Sequence, residues 1–261
     1  MTLRRLDAEL VRRGLAVSRS EAGHLVTDGR VEVGGNPSPK PASRVGEDTS
    51  IRVVSPDPFV SRGGRKLEAA LEAFGVDVAG RRAVDVGAST GGFTDCLLQR
   101  GAASVVAVDV GYGQIAERLR ADERVEVVDR TNIRTADPAT LGAPFDLVVA
   151  DVSFISLVTI ADALSALGGP DTDWLVLVKP QFEVGRDDVG RGGIVRDPML
   201  HRRAIDSVAT GLAAAGLGPR GVVASPITGA KGGNREFLLH LVVGPPTLTD
   251  DAVVDVVGLP A

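Results

Sequence analysis

Apolar and polar positions along this chain follow two periods, and the changes between them mark its elements. In the first fifty-odd residues the pattern is short and mixed. Leu6, Leu10 and Leu15, then Ala22, Leu25 and Val26, define the apolar faces of two amphipathic helices, with Gly14 stopping the first and Ser18 capping the second. Residues 29–35 read as a short strand and turn, and residues 50–54 as the partner strand. Further on, strand-like apolar runs at 83–86, 104–110, 124–129, 145–151, 174–180, 221–225 and 237–243 alternate with helical spacing. Leu67, Ala70, Leu71 and Phe74 form one such helical face, Phe93, Cys96, Leu97 and Leu98 another. Asp197 and Pro198 open a third helix as cap and first turn. Strands alternating with helices predict an α/β domain with a seven-stranded sheet, preceded by a small α+β domain.

Prolines divide the two. Residues 36–41 form a stiff loop, and residues 55–58 are a proline-rich boundary. The expected organisation is a head over 1–57, a linker over 58–63, a large domain over 64–246, and a peripheral Pro- and Asp-rich tail over 247–261.

The large domain opens with a strand, a glycine-rich turn and a helix. Asp85, Gly87, Gly91 and Gly92 make a D-x-G-x-x-x-G-G loop, whose backbone can approach a ligand beside the free N–H groups of the new helix. The next strand ends at Asp109, where a carboxylate can accept both hydroxyls of a ribose. Ser89 stands where a dinucleotide fingerprint has its second glycine, and no Lys-Ser/Thr follows Gly91-Gly92. The loop and its acid resemble the S-adenosylmethionine (SAM) site of class I methyltransferases, a Rossmann-like fold. That resemblance assigns Asp85, Gly87, Ala88, Ser89, Thr90, Gly91, Gly92 and Phe93 to the cofactor, with Asp109 and Val110 at the ribose. Asp129 and Asn132, after the third strand, are placed at the adenine edge, and Asp151 closes the set.

Charge changes the picture of the partner. The chain carries a net −5, yet residues 1–66 hold 12 Lys/Arg against 8 Asp/Glu. A basic head on an acidic body implies that the head meets a polyanion. The single cysteine, Cys96, and the scattered His24, His201 and His240 offer neither a disulfide framework nor metal-ligand spacing, so no metal is expected. The N-terminal residues have no apolar signal-peptide core, and no run of about eighteen apolar residues could span a bilayer. A soluble cytoplasmic protein is expected.

Ionisable residues stand at the ends of apolar strands. Asp151 and Lys179 each follow such a run, and ligands of open parallel sheets bind along that edge. Lys66 lies near the start of a helix, where the dipole disfavours a cation. Residues 181–196 are too Gly-rich for a helix and read as an active-site loop, while Glu236 sits at the start of the last strand.

The head, with R-L-D-x-x-L-V-x-x-G, S-R-x-x-A and D-G-x-V-x-V-x-G in order, resembles the alpha-L RNA-binding module of the ribosomal S-four type. In that module Arg4, Arg5, Arg19 and Arg30 would face phosphate, and Arg62 and Arg65 extend the RNA-contacting set. SRGGRKL, DVGASTGGFTD, DVGYGQ, VVADVSFISL, LVKPQFEVG and GxxGNxEF together resemble the TlyA (hemolysin A) family of ribosomal RNA 2′-O-methyltransferases, whose catalytic domain is FtsJ-like. The resemblance covers residues 3–243. It implies a Lys66, Asp151, Lys179 and Glu236 tetrad, SAM as cofactor, and cytidine ribose in ribosomal subunits as target, in both subunits or in the large one only. A ribose hydroxyl must lose its proton as it attacks a methyl group. Lys179 would contact it as a neutral base or as a cation stabilising the alkoxide, Lys66 would add a second positive charge, and Asp151 and Glu236 would hold the lysines. Two other classes fit parts of the pattern: an inactive RNA-binding assembly factor that keeps the SAM fold, and a membrane-lysing protein, for which no amphipathic or spanning segment speaks.

Overall fold

The computed structural model describes residues 3–27, 29–37, 40–54, 58–229 and 233–259. The chain divides into two compact units, Met1–Pro58 and Phe59–Ala261. The expected proline boundary falls partly on residues 55–57, and the stiff loop partly on 38 and 39, outside the described residues.

In the first unit, helices α1 (Leu6–Arg12) and α2 (Arg19–Thr27) close over a small core of Leu6, Leu10, Ala22, Leu25, Val26, Val31 and Val45. Gly14 has φ +69°, which ends α1, and Ser18 Oγ accepts from Glu21 N at 3.1 Å, which starts α2. Two ladders accompany the helices. Strand β1 (Arg4–Arg5) pairs antiparallel with β4 (Arg44–Val45), while β2 (Val31–Val33) lies between β3 (Asn36–Pro37) and β5 (Ile51–Val53). The β1–β4 ladder has no apolar alternation to announce it, and residues 36 and 37 pair as a strand where a loop is expected.

The second unit is built on a seven-stranded sheet in the order β11-β12-β10-β9-β6-β7-β8. Its strands are β6 (Arg82–Val86), β7 (Ser104–Val108), β8 (Val125–Val128), β9 (Phe145–Ala150), β10 (Gly168–Val178), β11 (Leu217–Ala224) and β12 (Phe237–Val243). Strands β6 to β10 run parallel, and β12 enters antiparallel between β10 and β11. Both faces are buried, so alternate residues feed different cores. Trp174, Val176 and Val178 of β10 join Val148 and Ala150 of β9 in one, and Leu175 and Leu177 join Leu147 and Val149 in the other. The long helices are α3 (Gly63–Phe74), α4 (Gly92–Gln99) and α8 (Pro198–Ala214), with shorter turns α5 (Glu117–Arg120), α6 (Ala161–Ser165) and α7 (Pro180–Glu183). Asp197 Oδ1 accepts from Met199 N at 2.9 Å and caps α8 as its sequence implies.

Two expected boundaries are corrected. The linker assigned to 58–63 is in large part fabric of the second unit: Phe59 is buried against Gly64, and Val60 N donates to the buried Asp95 Oδ2 at 2.7 Å. The tail is no appendage either, because residues 250–257 form a further helix, α9 (Asp250–Val257). Its Val253 and Val257 are buried in the core beneath α8 and β11, and Thr249 Oγ1 caps it by accepting from Ala252 N at 3.3 Å. Asp250 and Asp251 occupy the first turn, where the dipole favours them, so a run that reads as polar is an amphipathic helix. Among the described residues no helix is long and apolar enough to cross a membrane.

Val253→Ala and Val257→Ala should each lower the unfolding free energy by about 2 kcal/mol, since each removes buried methyl groups and leaves a cavity. Urea denaturation of the full chain measures this; an unchanged midpoint would return residues 250–257 to the periphery.

Candidate active site

The site lies at the C-terminal edge of three adjacent strands, β10, β9 and β6. Beyond β6 the chain turns through Gly87 (φ +84°), and a Cβ there would stand 2.7 Å from the carbonyl oxygen of Asp151. The tip of the loop is Ser89 at φ +49°, and Gly91 at φ +92° begins α4 with its Cβ position blocked by Leu119 at 2.4 Å. The glycines therefore serve close approach as well as unusual torsions. Asp85 underlies the loop, fully buried; its Oδ2 accepts from Thr94 N at 2.9 Å and Thr94 Oγ1 at 2.7 Å, whereas Oδ1 has no partner. Burial pushes this carboxyl up to about 7, Thr94 opposes the rise, and the charge of Asp151 adds to it.

The antiparallel course of β12 brings the catalytic candidates together. Because Val178 pairs with Phe237, the end of β10 meets the start of β12, and Lys179 comes to the edge beside Glu236. Lys179 Nζ lies 2.5 Å from Asp151 Oδ1, at the end of the neighbouring β9, and donates to Ser153 Oγ at 2.8 Å. Lys66, on the first turn of α3, donates to Glu236 Oε2 at 2.5 Å across 170 residues of sequence. Both lysines are 8% exposed. All four tetrad residues line one cleft of about 600 Å³, together with Asp85, Gly87, Ala88, Ser89, Thr90, Gly92 and Phe93.

The remaining expected residues lie elsewhere. Asp109, Val110, Asp129 and Asn132 sit past the ends of β7 and β8, outside the cleft's lining. Asp109 accepts from Ser89 N at 2.8 Å and Gly111 N at 2.7 Å, so it braces the glycine loop, with a second lone pair on each oxygen. Asp129 accepts from Gly113 N and Arg120, and Asn132 Oδ1 from Arg134 N. Arg62 lines the cleft and Arg65 does not. In the head, Arg4 pairs with Glu47, while Arg5 (2.8 Å) and Arg19 (3.1 Å) converge on Asp7 Oδ2; Arg30 Nε reaches Val54 O at 3.5 Å. Arg4, Arg5 and Arg19 are thus held by acids of their own unit, with the Arg5 and Arg19 side chains about half exposed or more.

Sequence reasoning missed three features. Asn234, buried, receives Val195 N on Oδ1 at 2.9 Å and donates from Nδ2 to Gly193 O at 2.8 Å, fixing the glycine-rich loop of residues 185–196. His201 adds a contact from Nε2 to Val195 O at 2.9 Å. Phe154, at φ +64° and 88% exposed, stands at the cleft with its ring 5.1 Å from that of Phe182. Its segment is latched by the half-buried Glu183, which accepts from Ser156 Oγ at 2.6 Å and Leu157 N at 2.9 Å and whose carboxyl is raised by desolvation. An exposed phenylalanine in a left-handed conformation leaves no mark in a hydropathy pattern.

Known proteins share this sequence and this fold. The FtsJ-like methyltransferase model matches residues 59–242, and the S4 domain model matches residues 4–51. Over 239 residues the chain is 54% identical to the 16S/23S rRNA (cytidine-2′-O)-methyltransferase TlyA of Mycobacterium tuberculosis, spanning 91% of this chain and 89% of that protein. This chain belongs to the TlyA family. The TlyA-family relative named hemolysin A in Brachyspira hyodysenteriae is 38% identical over 240 residues, 92% of this chain and 100% of its own. A solved structure from Streptococcus thermophilus, described as a candidate hemolysin, superposes with a TM-score of 0.76 at 37% identity, over 99% of this chain and 95% of that one. In this TlyA-family chain the seven-stranded sheet and the preceding S4 unit are as the sequence implies.

The elevated Asp85 carboxyl gives this site a pH signature. The folded chain keeps a proton that the unfolded chain has lost, so unfolding free energy should fall as pH rises from about 4 to about 7 and then level off. Asp85→Asn, which keeps an acceptor for Thr94, should flatten that decline in urea titrations at about pH 5 and about pH 8. Equal declines in both proteins would mean that Asp85 is ionised throughout.

Proposed function

We propose that this chain transfers a methyl group from SAM to a ribose 2′-hydroxyl of ribosomal RNA, cytidine being the nucleoside named in its relatives, within ribosomal subunits. The observation that carries the reading is the pairing of Lys179 with Asp151 and of Lys66 with Glu236 in one cleft with the glycine loop. The residues present fit the cofactor. Gly87, Ser89, Thr90 and Gly92 line the cleft with little side chain in the way, the partnerless Asp85 Oδ1 belongs to a residue of the same lining, and the first residues of α4 open onto it. Residues 87–93 would hold the methionine end, Asp109 the ribose, and Asp129 and Asn132 the adenine edge. SAM supplies an electrophilic methyl group on a sulfonium.

The chain's own residues do the rest. Lys179 meets the attacking oxygen and stabilises the negative charge that grows there as its proton passes to solvent water, while Asp151 and Ser153 fix the direction of the ammonium. Glu236 fixes Lys66 from the other wall, adding a second positive charge to the field at that oxygen. Phe154 offers an exposed ring at the lip on which the base of an extruded nucleotide stacks. The head, an S4 domain, anchors structured RNA through Arg5 and Arg19, whose shared carboxylate Asp7 preorients them.

The test incubates the protein and labelled SAM with unmodified small subunits, large subunits and free RNA, and maps the label. A 2′-O-methylated ribose supports the reading, and label on a base or on no RNA overturns it. Lys179→Ala should lower transfer on the order of 10²- to 10³-fold with SAM affinity retained. Arg5→Glu with Arg19→Glu should weaken subunit binding without changing SAM affinity, as filter binding and calorimetry report; unaltered subunit binding would remove the head from target recognition.

A further inference from the structure

Residues 59–261 hold 20 Lys/Arg against 26 Asp/Glu, so this unit should repel RNA unless its cations are unevenly placed. They are. Most of its arginines are neutralised or tethered where they stand: Arg81 by Asp173, Arg100 by Glu68 and Glu72, Arg118 by Asp95, Arg120 by Asp129, Arg124 by Asp122, Arg202 by Asp206 and Asp250, Arg203 by Asp188. Arg82 and Arg235 bond backbone carbonyls, Arg220 bonds Thr247, and Arg130 stacks on Tyr112. Among the described residues of this unit, Arg62, Arg134, Arg186, Arg191 and Arg196 have no such partner. Four of those five belong to the cleft or its rim. Arg62 lines it, and the other three ride on residues 185–196, whose Gly192 and Gly193 line it too.

That loop is rigid beneath and free above. Gly190 N donates to Ile194 O at 3.1 Å, Asn234 grips Val195 N and Gly193 O, His201 contacts Val195 O, and Arg203 ties down Asp188. Its backbone is thereby fixed while Arg186, Arg191 and Arg196 are exposed. The opposing charge left on the loop is that of Asp187 alone, since Asp188 is already paired.

We infer that residues 185–196 form a phosphate-gripping lip. Arg186, Arg191 and Arg196, with Arg62 on the cleft wall, contact RNA phosphodiesters flanking the nucleotide whose ribose enters the cleft. This rests on the functional reading above and adds to it that the acidic catalytic unit, besides the basic head, holds the strand. Guanidiniums free of carboxylates bind phosphate without first breaking an ion pair, and a loop fixed from below loses little entropy on binding.

The test is the full chain carrying Arg186→Gln, Arg191→Gln and Arg196→Gln. Its control carries Arg124→Gln, Arg202→Gln and Arg220→Gln, an equal change of net charge away from the cleft. Each phosphate contact to single-stranded RNA adds about 0.7 to the slope of log affinity against log salt, so the lip variant should lose about 2 from the slope. Its KM for RNA should rise at least about tenfold, with kcat at saturating RNA, SAM affinity and thermal midpoint near those of the unsubstituted chain. The control should keep the original slope. An unchanged slope in the lip variant, or an equal loss in the control, overturns the inference. The functional reading fails separately, if the unsubstituted chain binds RNA with the steeper slope yet transfers no methyl group.

Discussion

Two ammonium groups share one confined cleft here, and the structure is arranged around making that tolerable. A buried cation stripped of its partner costs about 3–5 kcal/mol, so each lysine must bring its own carboxylate. Asp151 and Lys179 come from the ends of neighbouring parallel strands, an arrangement that any doubly wound sheet supplies. The second pair needs more. Glu236 reaches this edge because β12 runs against its neighbours, so that its beginning lies where β10 finishes. A parallel strand in that position would have delivered its first residue to the opposite edge, leaving Lys66 unmatched. The antiparallel insertion is in this sense the structural condition for the second lysine.

Much of this was legible in the chain. Apolar runs ending in Asp151 and Lys179, and the acid-then-glycine loop at Asp85, follow from local patterns that a buried parallel sheet imposes on sequence. Other features could not be read because no local pattern encodes them. Strand β10 begins at Gly168, with a register shift before Asp173, and a Gly-Gly-Pro-Asp opening reads as a turn. Helix α9 hides two buried valines among aspartates. Asp109 shows its position in the sequence but not its second duty, accepting N–H groups from Ser89 and Gly111. The arginines of the head are visible as charges, whereas their convergence on Asp7 depends on how α1 and α2 pack.

The same limit applies to Asn234. A lone asparagine between glycine and arginine reads as loop, and its importance lies in the two backbone groups it meets on a segment some forty residues earlier. Contacts of this kind fix where a glycine-rich stretch travels without adding apolar area, so neither hydropathy nor periodicity reports them. They also let one strand do two tasks: the residues leading into β12 carry the acid for Lys66 and the amide that steadies the rim.

Gly87 sets a dimension of the site. Since its α-carbon sits so close to the Asp151 carbonyl that a single methyl would collide, the glycine-rich turn after β6 and the segment after β9 touch main chain to main chain. Their spacing is a matter of peptide geometry and does not vary with rotamers. Rotamer changes among the neighbouring side chains therefore leave the gauge of the cleft at this point unaltered.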